Sequence, residues 1–423
     1  LIISPRKKIA IIGTGISGLG AASLLYPYHD ITVYEKNNYI GGHSRTFEVE
    51  TLNGIIPVDT GFIVFNKHNY PLLTRLFEYL KVPIIESNMS FGASIDNGWL
   101  EYSTQSLDSF FAQKKNFFRP AFWGMIIDIL KFNAKAKIYL SKDPHFTLGD
   151  CLNDLKIGNW FQQYFLLAMG GAIWSSPLQE ILKFPACTFI RFFDNHGLLT
   201  THNQPQWYTV EGGSREYVSR LSAPFKDSIH LNRGVRKVRR KEGEVTVEDV
   251  HGHTQSYDEV VFACHADQTL SMIADPSPIE TKILSAFDYQ VNRIVLHGDT
   301  SFMPRCPKAW ASWTYLSENR KDKNLKVSLS YWMNNLQSLQ TDQTLIITLN
   351  PGREPDPSLI YNDYIFEHPV FNAAAINNQN RIEEIQGRKC FWFCGAYQRY
   401  GFHEDGLNSA VSLAQRMGIT PPW

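Results

Sequence analysis

Near the N-terminus the apolar positions fall in two short β-branched runs separated by one helix-length segment. Lys8-Ile9-Ala10-Ile11-Ile12 reads as a buried strand, Leu19 to Tyr26 as a helix that Pro27 ends, and Ile31-Thr32-Val33-Tyr34 as a second strand closing on Glu35. From about Leu72 to Tyr139 the spacing turns mostly helical, and Phe146 to Leu182 continues it. No charge occurs between Lys156 and Glu180, but Asn159, Gln162, Gln163, Ser175, Ser176 and Pro177 interrupt that stretch. It therefore lacks the roughly 20 apolar residues of a membrane span and reads as a core helix breaking at Gly170-Gly171. Tyr208 to Leu221 holds a Gly-Gly-Ser turn with a helix starting at Ser214, and Ile229 to Val261 alternates as strands around tight turns. Asp258 to Ala263 reads as a strand returning to a parallel sheet, whereas Arg293 to His297, Lys326 to Met333 and Leu345 to Leu349 predict a separate antiparallel sheet. Cys390 to Cys394 and a helix from about Leu407 to Met417 rejoin the first unit.

The pattern predicts an α/β chain. A discontinuous Rossmann-type domain is expected from residues 1–66, 205–265 and 385–423, and an inserted α+β substrate domain, an antiparallel sheet plus helices, from 67–204 and 266–384. With 423 residues, two or three domains can each bury a core. Hydrophobic residues make up 43% and charged residues 19%, which excludes a disordered chain. Forty-one basic residues balance 41 acidic ones, so no long-range attraction for nucleic acid is expected. No secretory h-region precedes the first strand, and a cytoplasmic location is expected. The six cysteines contain no C-x-x-C, and no His pair stands at zinc spacing, so no metal is predicted. Cys390 and Cys394, four residues apart on a strand, are too distant for a disulfide and read as core thiols.

The chemistry sits first in Gly13-Thr14-Gly15-Ile16-Ser17-Gly18. This G-x-G-x-x-G follows a strand, opens a helix and is trailed by Glu35: Gly13 for the turn, Gly15 for close approach of a pyrophosphate, Gly18 for helix–strand packing. The helix N-terminus offers free N–H groups to phosphate, and Glu35 would accept from ribose hydroxyls while repelling a 2′-phosphate. Gly41-Gly42-His43-Ser44-Arg45-Thr46 is a second small-residue turn, suited to the other side of the same pyrophosphate, and Asp59-Thr60-Gly61-Phe62-Ile63 offers another close backbone approach. Two contacts on one extended cofactor favour FAD over NAD. No second fingerprint exists, so electrons are expected from the substrate rather than from a nicotinamide. In Lys114 to Ile127 cations alternate with large apolar groups; the segment reads either as a helix opened by Pro120 and packed on the core, or as a contact with a lipid interface.

Together with Val210-Glu211-Gly212-Gly213-Ser214 and the Cys394-Gly395 strand end before a final helix, these motifs resemble the FAD-dependent amine oxidoreductase superfamily, which includes flavin amine oxidases, phytoene desaturases, protoporphyrinogen oxidases and polyunsaturated fatty acid isomerases. Asp59 to Asn66, Tyr331-Trp332-Met333-Asn334 and Gly401-Phe402-His403-Glu404-Asp405-Gly406 are similar to a bacterial subgroup often encoded beside cyclopropane-fatty-acyl-synthase-like methyltransferases and linked to desaturation of modified acyl chains. The resemblance implies non-covalent FAD held by Gly13, Gly15, Ile16, Ser17, Gly18, Glu35, Lys36, Gly41, Gly42, His43, Ser44, Thr60, Gly61, Phe62, Ile63, Val235, Gly395, Ala396, Glu404, Asp405, Gly406 and Leu407. Where the superfamily places an acid after the strand-end glycine, Ala396 stands here, so a carboxylate for the ribityl chain is expected from Asp405 or Glu404. N–H groups from about Asp405 to Leu407 would face the flavin carbonyl edge. The lysine that many members hold under the flavin is replaced at the equivalent strand by Asn292-Arg293. His403, Tyr397, Tyr400 and Trp332 are the candidate catalytic residues. The expected activity is desaturation or dehydrogenation of a hydrophobic substrate, a long-chain modified acyl group, by hydride transfer to flavin. A flavin amine oxidase and a redox-neutral fatty acid isomerase are the alternatives. The expected partners are a lipid-like substrate, a methyltransferase-type pathway enzyme and, at the periphery, the inner face of the membrane.

Overall fold

The computed structural model describes residues 5–51, 54–143, 145–166, 168–170, 181–195, 197–199, 205–241, 243–317 and 327–423. Five parallel strands form one sheet in the order Ile229–His230, Asp30–Tyr34, Lys8–Ile12, Glu259–Phe262 and Phe391–Phe393. Lys8–Ile12 is central, and Ile9, Ala10 and Ile11 are fully buried, because the sheet is covered on both faces and alternation gives way to a continuous apolar run. Helices Ile16–Leu25 and His403–Arg416 cover one face. They approach closely: a Cβ at Gly20 would lie 3.0 Å from Leu407 Cδ1, and one at Gly406 would lie 2.8 Å from Ile16 Cγ2. The opposite face packs on Val238, Val245, Val247 and Phe287.

The second body is a seven-stranded sheet in the order Ile360–Val370, Asp288–His297, Ile346–Leu349, Val327–Trp332, Trp313–Ser317, Phe91–Ile95 and Leu100–Ser103. It is not purely antiparallel, since Trp313–Ser317 runs parallel to Phe91–Ile95. Three strands, Ile84–Ser87, Phe91–Ile95 and Leu100–Ser103, lie inside the stretch whose spacing reads as mostly helical. Phe-Gly-Ala-Ser-Ile is buried throughout, so it carries no amphipathic period to betray a strand. Helices that include Pro120–Lys135, Leu148–Asp154 and Ala186–Asn195 pack on one sheet face and share its core. Of the expected break at Gly170-Gly171, Gly170 is helical and Gly171 lies outside the described residues. Among these residues no helix is long and apolar enough to cross a membrane, no group of His, Cys, Asp or Glu is placed to hold a metal, and all six cysteines are free.

Candidate cofactor and substrate site

The glycine fingerprint is tight behind and open in front. A Cβ at Gly13 would stand 2.7 Å from the Ala263 carbonyl oxygen, and one at Gly18 would stand 1.9 Å from the Gly13 carbonyl oxygen, so side chains are excluded where strand and helix close. A Cβ at Gly15 meets no protein atom within 4 Å. Beside it lies the second turn: Gly42, at φ +59°, brings its own Cβ direction to 3.0 Å from Gly15 Cα, and the Gly41 N–H donates to Thr14 Oγ1 at 3.3 Å. Two glycine turns distant in sequence thus face one another across the start of helix Ile16–Leu25. The first turn of that helix, including Ile16 and Ser17, has no acceptors of its own.

Glu35 is buried at the end of its strand. Its Oε2 accepts from the Thr14 N–H at 3.1 Å and from the Thr14 hydroxyl, and its Oε1 accepts from the Asn37 N–H at 2.8 Å. Oε2 is thereby filled, while Oε1 retains a lone pair, so the fixed carboxylate can still receive a ribose hydroxyl. Residues 232–235 run alongside: Arg233 N–H donates to the Glu35 carbonyl, and a Cβ at Gly234 would meet Lys36 Cβ at 3.2 Å. Val235 and Lys36 are thereby placed next to Glu35, at the adenosine end.

From Gly42 the site continues through His43. The hairpin Thr46–Thr51 with Gly54–Asp59 carries a further bridge, in which Phe62 N–H donates to the His43 carbonyl and Thr60 N–H to the Arg45 carbonyl. Gly61 is required there, since a Cβ would lie 2.0 Å from that His43 oxygen. The hairpin is pinned by Asp59, whose carboxylate accepts from Ser214 N–H and Oγ, Thr46 Oγ1 and Gln337 Nε2; burial pushes its pKa up to about 6. The His43 ring stacks on Phe366 at 4.3 Å and lies 5.3 Å from His368, with its Nε2 buried and unpartnered in the protein. Burial first, and the neighbouring His368, His265 and His403 rings after it, hold His43 neutral.

Strand parity decides what faces this region. Asn292 pairs with Phe366 in register and is fully buried on the inner side, whereas Arg293 points outward to Glu354 and Asp363. Asn292 Nδ2 donates to His368 Nδ1 at 2.8 Å, and its Oδ1 receives Asn350 Nδ2 at 2.7 Å. His368 is lowered to about 4 by burial and stays neutral. Asn292, Gln290 and His368 line a small cavity whose other walls include Phe184, Pro369 and Phe371. Beyond it the same inner face of the seven-stranded sheet presents Trp313, Tyr315, Leu329, Tyr331, Ile347 and Phe366 to the helical layer.

Of the four candidate catalytic residues, His403 alone lies against the Gly41–Phe62 region. Its Nε2 shares hydrogen bonds with Ser44 Oγ at 2.9 Å and Tyr217 Oη at 2.6 Å, and its ring stacks on Phe62 at 3.9 Å. Burial lowers it to about 3, so it is a neutral anchor for the final helix rather than an acid. Tyr397 turns the other way, into the core behind the parallel sheet, 4.9 Å from Phe287; its ring is why residue 395 is glycine, as a Cβ there would lie 2.3 Å from Tyr397 Cε1. Tyr400 is at the surface. Trp332 faces away from Leu329 and Tyr331 and packs on Trp310 at 5.3 Å. Tyr400 and Trp332 thus lie apart from the His43–His403 cluster, whereas the Tyr397 hydroxyl is buried without a partner in the protein.

The acids of the final helix are also differently used. Glu404 accepts from the Leu72 and Leu73 N–H groups at 2.8 and 3.0 Å, capping helix Pro71–Tyr79, whose own N-cap residue, Tyr70, supplies no side-chain acceptor. Asp405 accepts from the Tyr400 and Phe402 N–H groups and is pushed up to about 6 by burial. Both oxygens of Glu404 and the Oδ2 of Asp405 are thus engaged by backbone N–H groups of this chain. The helix begins at His403, and the Gly406 N–H already donates to Phe402, so its free N–H groups are those of His403 to Asp405, earlier than expected. The Leu407 side chain is core. Gly395 and Ala396 sit between the parallel sheet and this helix, Gly395 N–H donating to Ser409 Oγ at 2.8 Å.

Sequence reasoning did not find Tyr217, which bonds His403, or His265 and His368, whose rings lie 6.2 and 5.3 Å from that of His43; they are gathered only by tertiary contacts. The residues present fit FAD: paired glycine turns at a helix N-terminus, an open approach at Gly15, a buried acid at the ribose distance along the strand, and the orphaned His43 Nε2.

A family model described as flavin containing amine oxidoreductase matches residues 16–335. In sequence alone the chain matches none of the curated proteins. Among solved structures, a fatty acid isomerase from P. acnes that produces CLA is 14% identical, with a TM-score of 0.66 over 98% of this chain and 99% of that one. A cyclohexylamine oxidase from Brevibacterium oxydans is 15% identical, with a TM-score of 0.66 over 98% and 100%. A putrescine oxidase bound to putrescine is 13% identical, with a TM-score of 0.66 over 97% and 99%. At such identities the likeness is one of fold. The chain belongs to the flavin containing amine oxidoreductases and is an FAD-dependent oxidoreductase.

Proposed function

We propose that the enzyme desaturates or dehydrogenates a long-chain acyl group, modified by methylation or cyclopropanation, that reaches it as a lipid. Bound FAD would supply the two-electron acceptor for the hydride of one substrate carbon, with the proton of the neighbouring carbon released to water as the double bond forms. The observation that carries the reading is the inner face of the seven-stranded sheet, where Trp313, Tyr315, Leu329, Tyr331, Ile347 and Phe366 pack toward the helical layer as an apolar wall, and the register places no charged residue among them. An acyl chain gains about 0.8 kcal/mol for each CH₂ that it buries on such a wall, and needs no ionic anchor. An amine substrate would carry a cation into the same surroundings, where desolvation opposes it.

The chain's own groups orient and exclude rather than titrate. Asn292, held by Asn350 and His368, is a fixed amide at the wall's edge, and His43, His368 and His403 are all kept neutral by burial. Aligning a C–H bond is the contribution such a site can make without a strong base. A methyltransferase-type enzyme acting on acyl chains is the reaction class that would supply this substrate. Anaerobic mixing with long-chain acyl lipids should bleach the flavin and yield a product two mass units lighter; product of unchanged mass would favour an isomerase, and peroxide from primary amines an amine oxidase.

A further inference from the structure

Helix Pro120–Lys135 is apolar on two sides. Phe122, Met125 and Phe132 are buried in the substrate-domain core, yet Trp123, Ile127 and Leu130 are exposed on the other side, Ile127 by 63%. The exposed positions recur at helical spacing along a helix about 24 Å long, and Ile138, beyond its end, is also exposed. The preceding turn adds Phe117 and Phe118, the latter 82% exposed, braced by ring contacts of Phe117 with Phe118 and Trp123 at 5.6 Å each. Trp123 Nε1 donates to the Phe117 carbonyl at 2.9 Å, so the cluster is fixed rather than splayed. One contiguous exposed apolar surface of this kind marks an interaction site.

The charges around it choose the occupant. Lys114, Lys115 and Lys135 are exposed and have no carboxylate partner among the described residues. Of the nearby acids, Asp108 and Asp194 are paired with Lys308 and Lys137, while Asp128 and Asp154 accept from the Gly158 N–H and the Tyr139 hydroxyl and keep their charge, which leaves Lys114, Lys115 and Lys135 as the unpaired cations of this border. An apolar stripe with an aromatic tip and unneutralised cations at its border is complementary to an anionic bilayer surface, with the rings in the acyl boundary and the lysines at the headgroups. We infer that this helix face docks the enzyme on anionic membrane, lying in the interface without crossing it. The inference does not depend on the substrate class, because the surface is separate from the inner sheet wall.

The test is co-sedimentation of the FAD-loaded enzyme with vesicles of phosphatidylcholine alone or mixed with phosphatidylglycerol. Binding should be confined to the anionic vesicles and weaken with salt. Lys114→Glu with Lys115→Glu, and separately Trp123→Ser with Ile127→Ser, should each weaken partitioning by about tenfold or more while the flavin spectrum and thermal melting stay those of the parent. Equal binding to neutral vesicles, insensitivity to the lysine reversals, or no binding at all would overturn the proposal. So would a concentration-dependent dimer that Trp123→Ser with Ile127→Ser dissolves while vesicle binding is absent.

Discussion

Glu404 separates two accounts of the final helix, since a carboxylate there could serve either the flavin or the fold. Both of its oxygens are taken by backbone N–H groups of a helix that lies 331 and 332 residues away in sequence. A helix N-cap contributes about 1 kcal/mol. The charge at a partly buried helix N-terminus adds about 1 kcal/mol, which the desolvation that raises the Glu404 pKa reduces. Glu404→Ala should therefore cost about 1–2 kcal/mol, and Glu404→Gln, which keeps one acceptor, about half as much. For a chain of 423 residues that corresponds to a fall in Tm of about 2 °C. The assay is thermal melting of the apoprotein beside FAD titration by fluorescence quenching. Capping predicts a lower Tm and an FAD affinity within about twofold of the parent, under 0.5 kcal/mol. An unchanged apoprotein Tm with affinity weakened about tenfold would refute it and restore Glu404 as a cofactor ligand.

Gly15→Val should leave the apoprotein folded, because the space before Gly15 is open to protein atoms, yet yield protein without FAD; yellow protein releasing FAD on heating would contradict the assignment. Asp59, raised to about 6 by burial, holds its proton more tightly folded than unfolded, so its contribution to stability is full below the unfolded value of about 4 and declines as pH rises through 6. The denaturation midpoint of the parent relative to Asp59→Asn should accordingly shrink between pH 4 and 6, and a gap that widens with pH would show that its four hydrogen bonds outweigh desolvation. Neither NADH nor NADPH should bleach the flavin rapidly under anaerobic stopped-flow conditions, as only one dinucleotide fingerprint is present.

What could be read along the chain was what local geometry compels. Gly13, Gly18 and Gly42 occupy positions where a Cβ collides or φ is positive, and such constraints are visible in six residues of sequence. Of strand Asp288–His297 only Arg293 to His297 was legible, from the apolar run Ile294-Val295-Leu296, and it is the observed register that sets Asn292 inside and Arg293 outside. Side-chain direction in irregular segments was not legible. Tyr397 and Tyr400 share a loop beside the final helix, but a tight turn at Gly395 sends one into the core and leaves the other in solvent. Trp332 depended on strand register and on which face of the sheet the helices cover, and the run Tyr331-Trp332-Met333 discloses neither. The neutral knot of Ser44, Tyr217 and His403 joins three segments, and nothing in any one of them announces the other two.

The most direct test of the central claim is anaerobic reduction of the FAD-loaded enzyme, followed at the flavin absorption band, by methyl-branched or cyclopropanated long-chain phospholipids in parallel with simple primary amines. The apolar inner wall predicts that the lipids bleach the flavin and release a dehydrogenated acyl product, while the amines leave the band unchanged. Bleaching by amines with peroxide on re-aeration, and none by any acyl lipid, would contradict the account.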